Sequence, residues 1–252
     1  MNRVVVLCYH DVADGASCDA SGFPGPAAAS YKVEPKIFRA HLEALAAVRI
    51  GALLTFDDGG LSAYTEVAPL LEEFGQRGWF FIPTSFIGAR GFLSKVQIRE
   101  LSERGHTIGS HSRSHRGRMS AWPWEKLSAE WIDSVATLAE ITGRPVISAA
   151  VPSGFYAPPV AAAAACAGIQ ELFTLEPTLR THRVAGCLVR GRYTIKRRTS
   201  ARAVVRLVAG SPLERGRQFV FWNLKKAAKS ALGAWYPRLR ESYFAWHDGA
   251  RV

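Results

Sequence analysis

Short apolar, β-rich runs alternate with longer segments of helical period along most of the chain, and this alternation limits the possible folds more than any other feature. Residues 4–9, 52–56, 79–82, 107–110, 146–151, 172–174 and 193–195 read as strands. Residues 35–48, 65–74, 95–104, 125–142, 158–166 and 201–209 read as helices. Pro35 suits a first helical turn, and Ser94 followed by Gln97 is a capping box. Gly75, Gly105, Gly143 and Gly168 stand where helices stop. A helix between successive strands is what a parallel pair requires, so the pattern predicts right-handed βαβ units. The expectation is an α/β fold, a distorted seven-stranded (β/α) barrel of TIM type. A doubly wound open sheet is the alternative, because strand closure is not written in a sequence.

The chain has 252 residues, the size of one large α/β domain. Hydrophobic residues make up 48% and charged residues 21%, which excludes a disordered chain. No apolar stretch approaches the ~20 residues of a membrane-spanning helix. Arg3 is followed at once by the first strand rather than by a signal-length apolar helix, so a cytoplasmic location is expected. Cys8, Cys18, Cys166 and Cys187 are scattered without a CxxC pair and read as reduced structural thiols. The net charge of +11 is uneven: residues 1–179 carry 15 basic and 18 acidic side chains, residues 180–252 carry 17 and 3. Such a basic C-terminal third suits an anionic partner: a membrane surface, a phosphate-bearing substrate or a nucleic acid.

In parallel α/β folds, chemistry gathers at the C-terminal ends of the strands. The second strand ends in Asp57-Asp58-Gly59-Gly60 and the fourth in His111-Ser112-Arg113-Ser114-His115. Either alone has a bland reading, an ordinary turn or an exposed helix face. Together, two imidazoles four residues apart and a nearby carboxylate can complete a facial metal triad with positions left open for water and substrate.

Thr55-Phe56-Asp57-Asp58-Gly59, then Trp79-Phe80-Phe81-Ile82, then Gly105 through His115 resemble the successive motifs of the polysaccharide deacetylases, carbohydrate esterase family four. Leu7 through Val12 and Tyr31 through Pro35, with Phe38 and Leu42, look like the branch that deacetylates poly-N-acetylglucosamine. The resemblance covers roughly residues 4 to 195. It implies removal of an N-acetyl or similar acyl group from an amino sugar in a cell-surface polysaccharide or lipid-linked saccharide. It implies Asp58, His111 and His115 as ligands of one divalent metal ion, and Asp57 as the base for attack by metal-bound water. Zinc is the default, with iron, cobalt, nickel or manganese as alternatives. Ser153, between Pro152 and Gly154, matches the position whose backbone N–H meets the oxyanion.

Two positions depart from the family pattern. The arginine that orients the base is replaced near Ala150-Val151-Pro152, with Arg113 as a guess for a substitute. The late Leu-x-His motif that protonates the leaving amine has no counterpart, the region reading Gly191-Arg192-Tyr193-Thr194-Ile195. His10, at the end of the first strand, is the candidate for that acid or for substrate binding. A catalytically degenerate glycan or metal binder is therefore the alternative to a deacetylase. His106 is expected to be structural.

Residues 1–210 are expected to form the barrel and 211–252 a basic helical extension. There Phe221, Leu224, Ala228, Ala231, Leu232 and Trp235 fall on one helical arc, flanked by Lys225, Lys226 and Lys229. With Trp222, Tyr236, Tyr243, Phe244 and Trp246, this composition suits peripheral contact of residues 214–246 with an anionic membrane. An apolar stripe packed on the barrel is the commoner arrangement for such a pattern. The tail holds no recognised reading motif, so no nucleic acid is expected.

Overall fold

The computed structural model describes residues 4–15 and 18–232, with side chains as far as Ala227. Nine strands form one curled sheet: β1 (Val6–Tyr9), β2 (Leu53–Phe56), β3 (Trp79–Ile82), β4 (Thr107–Ser110), β5 (Ser148–Ala150), β6 (Glu171–Phe173), β7 (Thr181–Val184), β8 (Cys187–Arg190) and β9 (Tyr193–Thr194). The helices are α1 (Pro26–Ala29), α2 (Pro35–Ala47), α3 (Ala68–Glu73), α4 (Lys95–Glu103), α5 (Trp124–Thr142), α6 (Pro158–Cys166), α7 (Ala201–Val208) and α8 (Pro212–Leu232). Strands β1 to β6 lie side by side in chain order and are all parallel. The order never reverses, so the sheet has no switch point and the doubly wound alternative does not apply.

The expected count of seven strands is corrected to nine. The strand expected at 193–195 is β9, parallel to β1; β7 and β8 were not foreseen. β7 presents exposed Thr181, His182 and Arg183 and lacks the apolar alternation of a half-buried strand. Its two-residue turn to β8 is Ala185-Gly186, both with positive φ, rather than the Asn-Gly pair that signals a hairpin. β8 is parallel to β6 and only Gly191 and Arg192 separate it from β9, so the chain itself bridges the β6 and β1 flanks.

Helix boundaries follow local chemistry. Both hydrogen bonds of the Ser94–Gln97 capping box are made, and Gly143 at φ 66° closes α5 in the left-handed region. The π-helical turn Ala63–Val67 leads into α3. Outward-facing strand residues such as Leu7, Tyr9, Leu54, Phe56 and Phe80 pack with Phe38, Leu42, Leu71 and Leu101 from the surrounding helices. A second cluster joins Trp131 and Leu127 of α5 to α6, β5, β6 and β8. The alternate residues point inward, where Val6, Phe81, Ala150 and Phe173 pack together. A Cβ on Gly109 would meet the Phe81 ring at 2.5 Å, so only glycine fits that layer. Among the described residues, no helix is long and apolar enough to cross a membrane.

Candidate active site

The site arises by extending the inward-facing series of three strands. Val6 and Cys8 lead to His10, Leu53 and Thr55 to Asp57, and Thr107 and Gly109 to His111, each at the C-terminal lip of its strand. Asp58 follows Asp57 directly and would face outward in an extended chain. Instead its φ is 75°, and this left-handed turn brings its carboxylate back into the mouth.

The His111–His115 segment is a loop, not a helical turn. Ser112 and His115 have φ of 63° and 53°, placing both in the left-handed region. The intervening serines hold that shape. Ser112 Oγ accepts from the His115 backbone N–H at 3.1 Å, and Ser114 donates through its backbone N–H and hydroxyl to buried Glu130 of α5 at 2.5 and 2.7 Å. Left-handed backbone at Asp58, Ser112, His115 and Ser153 concentrates strain at these positions, as functional sites do.

Asp58, His111 and His115 offer donor atoms that all lie within 4.8 Å of one another. Asp58 Oδ1 is 3.1 Å from His115 Nε2 and 3.5 Å from His111 Nε2. His111 Nδ1 donates to the Ala150 carbonyl at 2.8 Å, which leaves the Nε2 lone pair aimed at Asp58. Burial raises the Asp58 pKa, but when the two imidazoles are protonated their hydrogen bonds and charge outweigh it and hold the carboxyl well below its ordinary value. Two imidazole nitrogens and one carboxylate oxygen fit a divalent first-row cation.

Asp57 occupies a different environment. Arg192 grips it from across the barrel, Nη1 donating to Oδ1 at 2.6 Å and Nη2 to Oδ2 at 2.7 Å. The guanidinium also donates to Thr55 Oγ1 at 3.0 Å and to the Thr174 carbonyl at 3.2 Å, and it is wholly buried. Burial alone would push the Asp57 carboxyl up. The Arg192 charge and His111 reverse this, so its pKa is lowered. Burial also keeps the Cys8 thiol protonated, and it donates to Asp57 Oδ2 at 3.5 Å. Donor atoms of Cys8, His10 and Asp57 also lie within 4.8 Å of one another.

Arg192 was missed in the sequence, and Arg113 was the wrong guess: Arg113 Nη1 donates to Asp133 at the surface, 3.0 Å away. The missed signal is strand parity. Tyr193 and Ile195 pack toward the helices, so Arg192 on the same extended run faces inward, where a charge needs a partner.

The His10 ring packs tilted against Tyr31, centroids 4.9 Å apart, and its Nδ1 is buried without a hydrogen-bond partner among the described residues. Pro152, Ser153 and Gly154 form a 3-10 turn directly after β5, with Ser153 at φ 57°. Ser153 and Gly154 border a groove reaching toward α8. Phe23, unremarked in the sequence, stacks on His115 at 4.6 Å. Its loop is tied down by buried Asp11, which accepts from Ser21 at 2.5 Å and Ser62 at 2.8 Å, and a Cβ on Gly60 would collide with that carboxylate. His106 is structural as expected: Nε2 donates to Glu72 at 2.9 Å while Nδ1 accepts from the Gly78 N–H at 3.1 Å.

Residues 49–172, just under half of the chain, match the family model described as polysaccharide deacetylase. The Bacillus subtilis (strain 168) protein YxkH is 29% identical over 125 residues, 50% of this chain and 44% of YxkH, so the match spans less than half of that relative. Three solved structures share the fold. The Streptococcus pyogenes deacetylase PplD, solved with acetate, has a TM-score of 0.64 at 18% identity, covering 81% of this chain and 97% of that one. BC0361, a polysaccharide deacetylase from Bacillus cereus, has a TM-score of 0.69 at 20% identity over 81% of this chain and 68% of its own. IcaB from Ammonifex degensii has 0.65 at 23% identity, covering 82% and 95%.

Proposed function

We propose that the chain is a metal-dependent hydrolase removing an N-acetyl or similar acyl group from an amino sugar, in a cell-surface polysaccharide or a lipid-linked saccharide. One observation carries the reading: an arginine-clamped carboxylate stands at one barrel mouth beside a separate carboxylate and two imidazoles with converging donor atoms. The match to the polysaccharide deacetylase family model and the likeness to deacetylase folds support it. Within that reading, the segments Leu7 through Val12 and Tyr31 through Pro35 favour a poly-N-acetylglucosamine type of substrate.

Asp58, His111 and His115 would hold the cation, zinc or another first-row divalent metal. When bound, it supplies a Lewis acid for the amide carbonyl and a charge that acidifies water. Asp57 is the base, taking the proton as the water oxygen bonds to the acyl carbon. Arg192 fixes the plane of that carboxylate and keeps it ionised between turnovers. The amide nitrogen is a poor leaving group until protonated, and His10, beside Asp57 at the same mouth, delivers that proton as the C–N bond breaks. The Ser153 N–H stabilises the oxyanion; its hydroxyl is not a nucleophile.

The alternative, a glycan or metal binder without turnover, is favoured by one observation: Gly191-Arg192-Tyr193 stands where the family's Leu-x-His proton donor is expected. Metal content and acetate release from an N-acetylglucosamine oligomer separate the two. The wild type is expected to bind one metal per chain and release acetate, Asp57→Asn to lose about 10²–10⁴ in rate while keeping metal, and His111→Ala to lose both. His10→Ala should lower kcat by a similar factor. Metal binding without release from polymeric or lipid-linked substrate would favour the binder, and no metal binding would refute the deacetylase reading.

A further inference from the structure

Helix α8 turns its polar flank to the barrel and its apolar stripe to solvent. Leu213, Val220 and Leu224 recur at the seven- and four-residue spacing of a single helical line and are 64%, 57% and 66% exposed. The contacts that hold the helix are polar. The Gln218 side chain accepts from the Thr194 N–H at 3.0 Å and donates to its carbonyl at 3.1 Å. Arg215 donates to the Leu207 and Val208 carbonyls at 3.0 and 3.2 Å. The Lys225 ammonium donates to the Tyr31 hydroxyl at 3.0 Å, and Tyr31 is the residue whose ring packs against His10. The arrangement expected for a surface helix, with its stripe buried on the barrel, is therefore not the one found over residues 212–227. Ala228, Ala231, Leu232 and Lys229 have side chains outside the described residues, and Trp235, Tyr236, Tyr243, Phe244 and Trp246 lie wholly outside them.

The exposed stripe is flanked by charge of one sign. Arg217 on the helix and Arg198 beside it are exposed, with Glu214 the single acidic residue among residues 212–227. A groove of about 1450 Å³ opens beside α8, lined by Leu213, Val220 and Leu224 of the stripe and running past Arg217 to Ser153 and Gly154 at the mouth. A second copy of α8 laid on this stripe would bring like charges together. A surface both apolar in depth and anionic at its boundary matches it.

We infer that α8 docks on a bilayer carrying anionic lipids, its Leu213–Val220–Leu224 stripe entering the headgroup boundary while Arg198 and Arg217 meet the phosphates. Through the Lys225–Tyr31–His10 contacts, the docked helix sets the groove and the barrel mouth against the lipid surface. This deepens the deacetylase reading by placing its substrate at a membrane, and the docking is measured without turnover.

The full-length protein is tested by cosedimentation with vesicles of phosphatidylcholine alone and with added phosphatidylglycerol, at low and high salt. The wild type is expected to pellet with the anionic vesicles, and added salt to weaken it. Val220→Asp/Leu224→Asp should pellet at least about tenfold less well, a loss of about 1.4 kcal/mol, with an unchanged thermal melt because both positions are exposed. Val220→Ser/Leu224→Ser, which adds no charge, should fall in between. Absence of pelleting at low salt, equal pelleting by the Ser and Asp variants and the wild type, or a wild-type dimer that the Asp variant converts to monomer would overturn the inference. Acetate release from a soluble oligomer stands or fails separately from every one of these outcomes.

Discussion

Arg192 and Asp57 form a buried pair in which nearly every polar atom has a partner, and that completeness makes the pair sensitive to losing one member. Arg192→Met strands a carboxylate in the barrel and is expected to destabilise the fold by about 3–5 kcal/mol in urea unfolding. Asp57→Asn/Arg192→Met removes both charges and should recover much of that loss; an equally unstable double variant would mean the pair is not its cause. Arg192→Lys keeps the charge but not the two-pronged grip, so stability should largely return while kcat stays low and KM is little changed. His41 offers a pH test. Its Nε2 faces the Thr199 carbonyl at 2.8 Å and so carries the hydrogen, leaving Nδ1 to accept from the Tyr9 hydroxyl. Burial holds its pKa below the ordinary 6.5, so the unfolded chain takes up the proton first. The stability contributed by neutral His41 is thus full above about 6.5 and is lost as pH falls toward the folded value. His41→Gln should flatten part of that decline in unfolding free energy; an unaltered slope would place its origin elsewhere. At this scale the sequence displayed the titratable residues, since Asp57, Asp58, His111 and His115 stand in motifs. It did not display which arginine serves Asp57, because that partner arrives from 135 positions away.

The elements were legible where local chemistry and burial agree. β3, β4 and α6 fall on their expected residues: β3 and α6 are apolar runs, and β4 stands between the Gly105 helix stop and the His111 motif. The hairpin β7–β8 was illegible because its outer strand is solvent-facing and its turn uses an unfavourable residue. Ala185 sits at φ 49°, where a side chain costs about 1–2 kcal/mol. Ala185→Gly removes that cost and adds backbone freedom to the unfolded state, so a net gain of about 0.5–1 kcal/mol is expected. A lower urea midpoint for the variant would show that the Ala185 methyl makes compensating contacts. The same reasoning explains the His111–His115 loop: the spacing fits a helical turn or a tight loop equally, and Glu130 of α5 decides for the loop by accepting from Ser114.

At the scale of the molecule, the mouth is assembled from β1, β2, β4 and the strand pair β8–β9, which meet only because the sheet curls. If Asp58, His111 and His115 hold a divalent ion, a chelator should lower the melting temperature. Restoring ion at a hundred times its dissociation constant should return about 2.7 kcal/mol to the native state. His111→Ala should show neither change, and a chelator effect persisting in that variant would put the ion at another site. What the sequence by itself determined is the alternation of strand and helix, hence parallel βαβ order, and the placing of its carboxylates and histidines at strand ends. Those properties depend on residues within a few positions of one another, through helical or strand period and through capping. Only the tertiary structure decided the strand count, the left-handed turn that folds Asp58 back beside His115, the arginine that clamps Asp57, and the exposure of the α8 stripe. Each of these depends on which distant surfaces meet, and contact energy between segments far apart in the chain leaves no periodic trace along it.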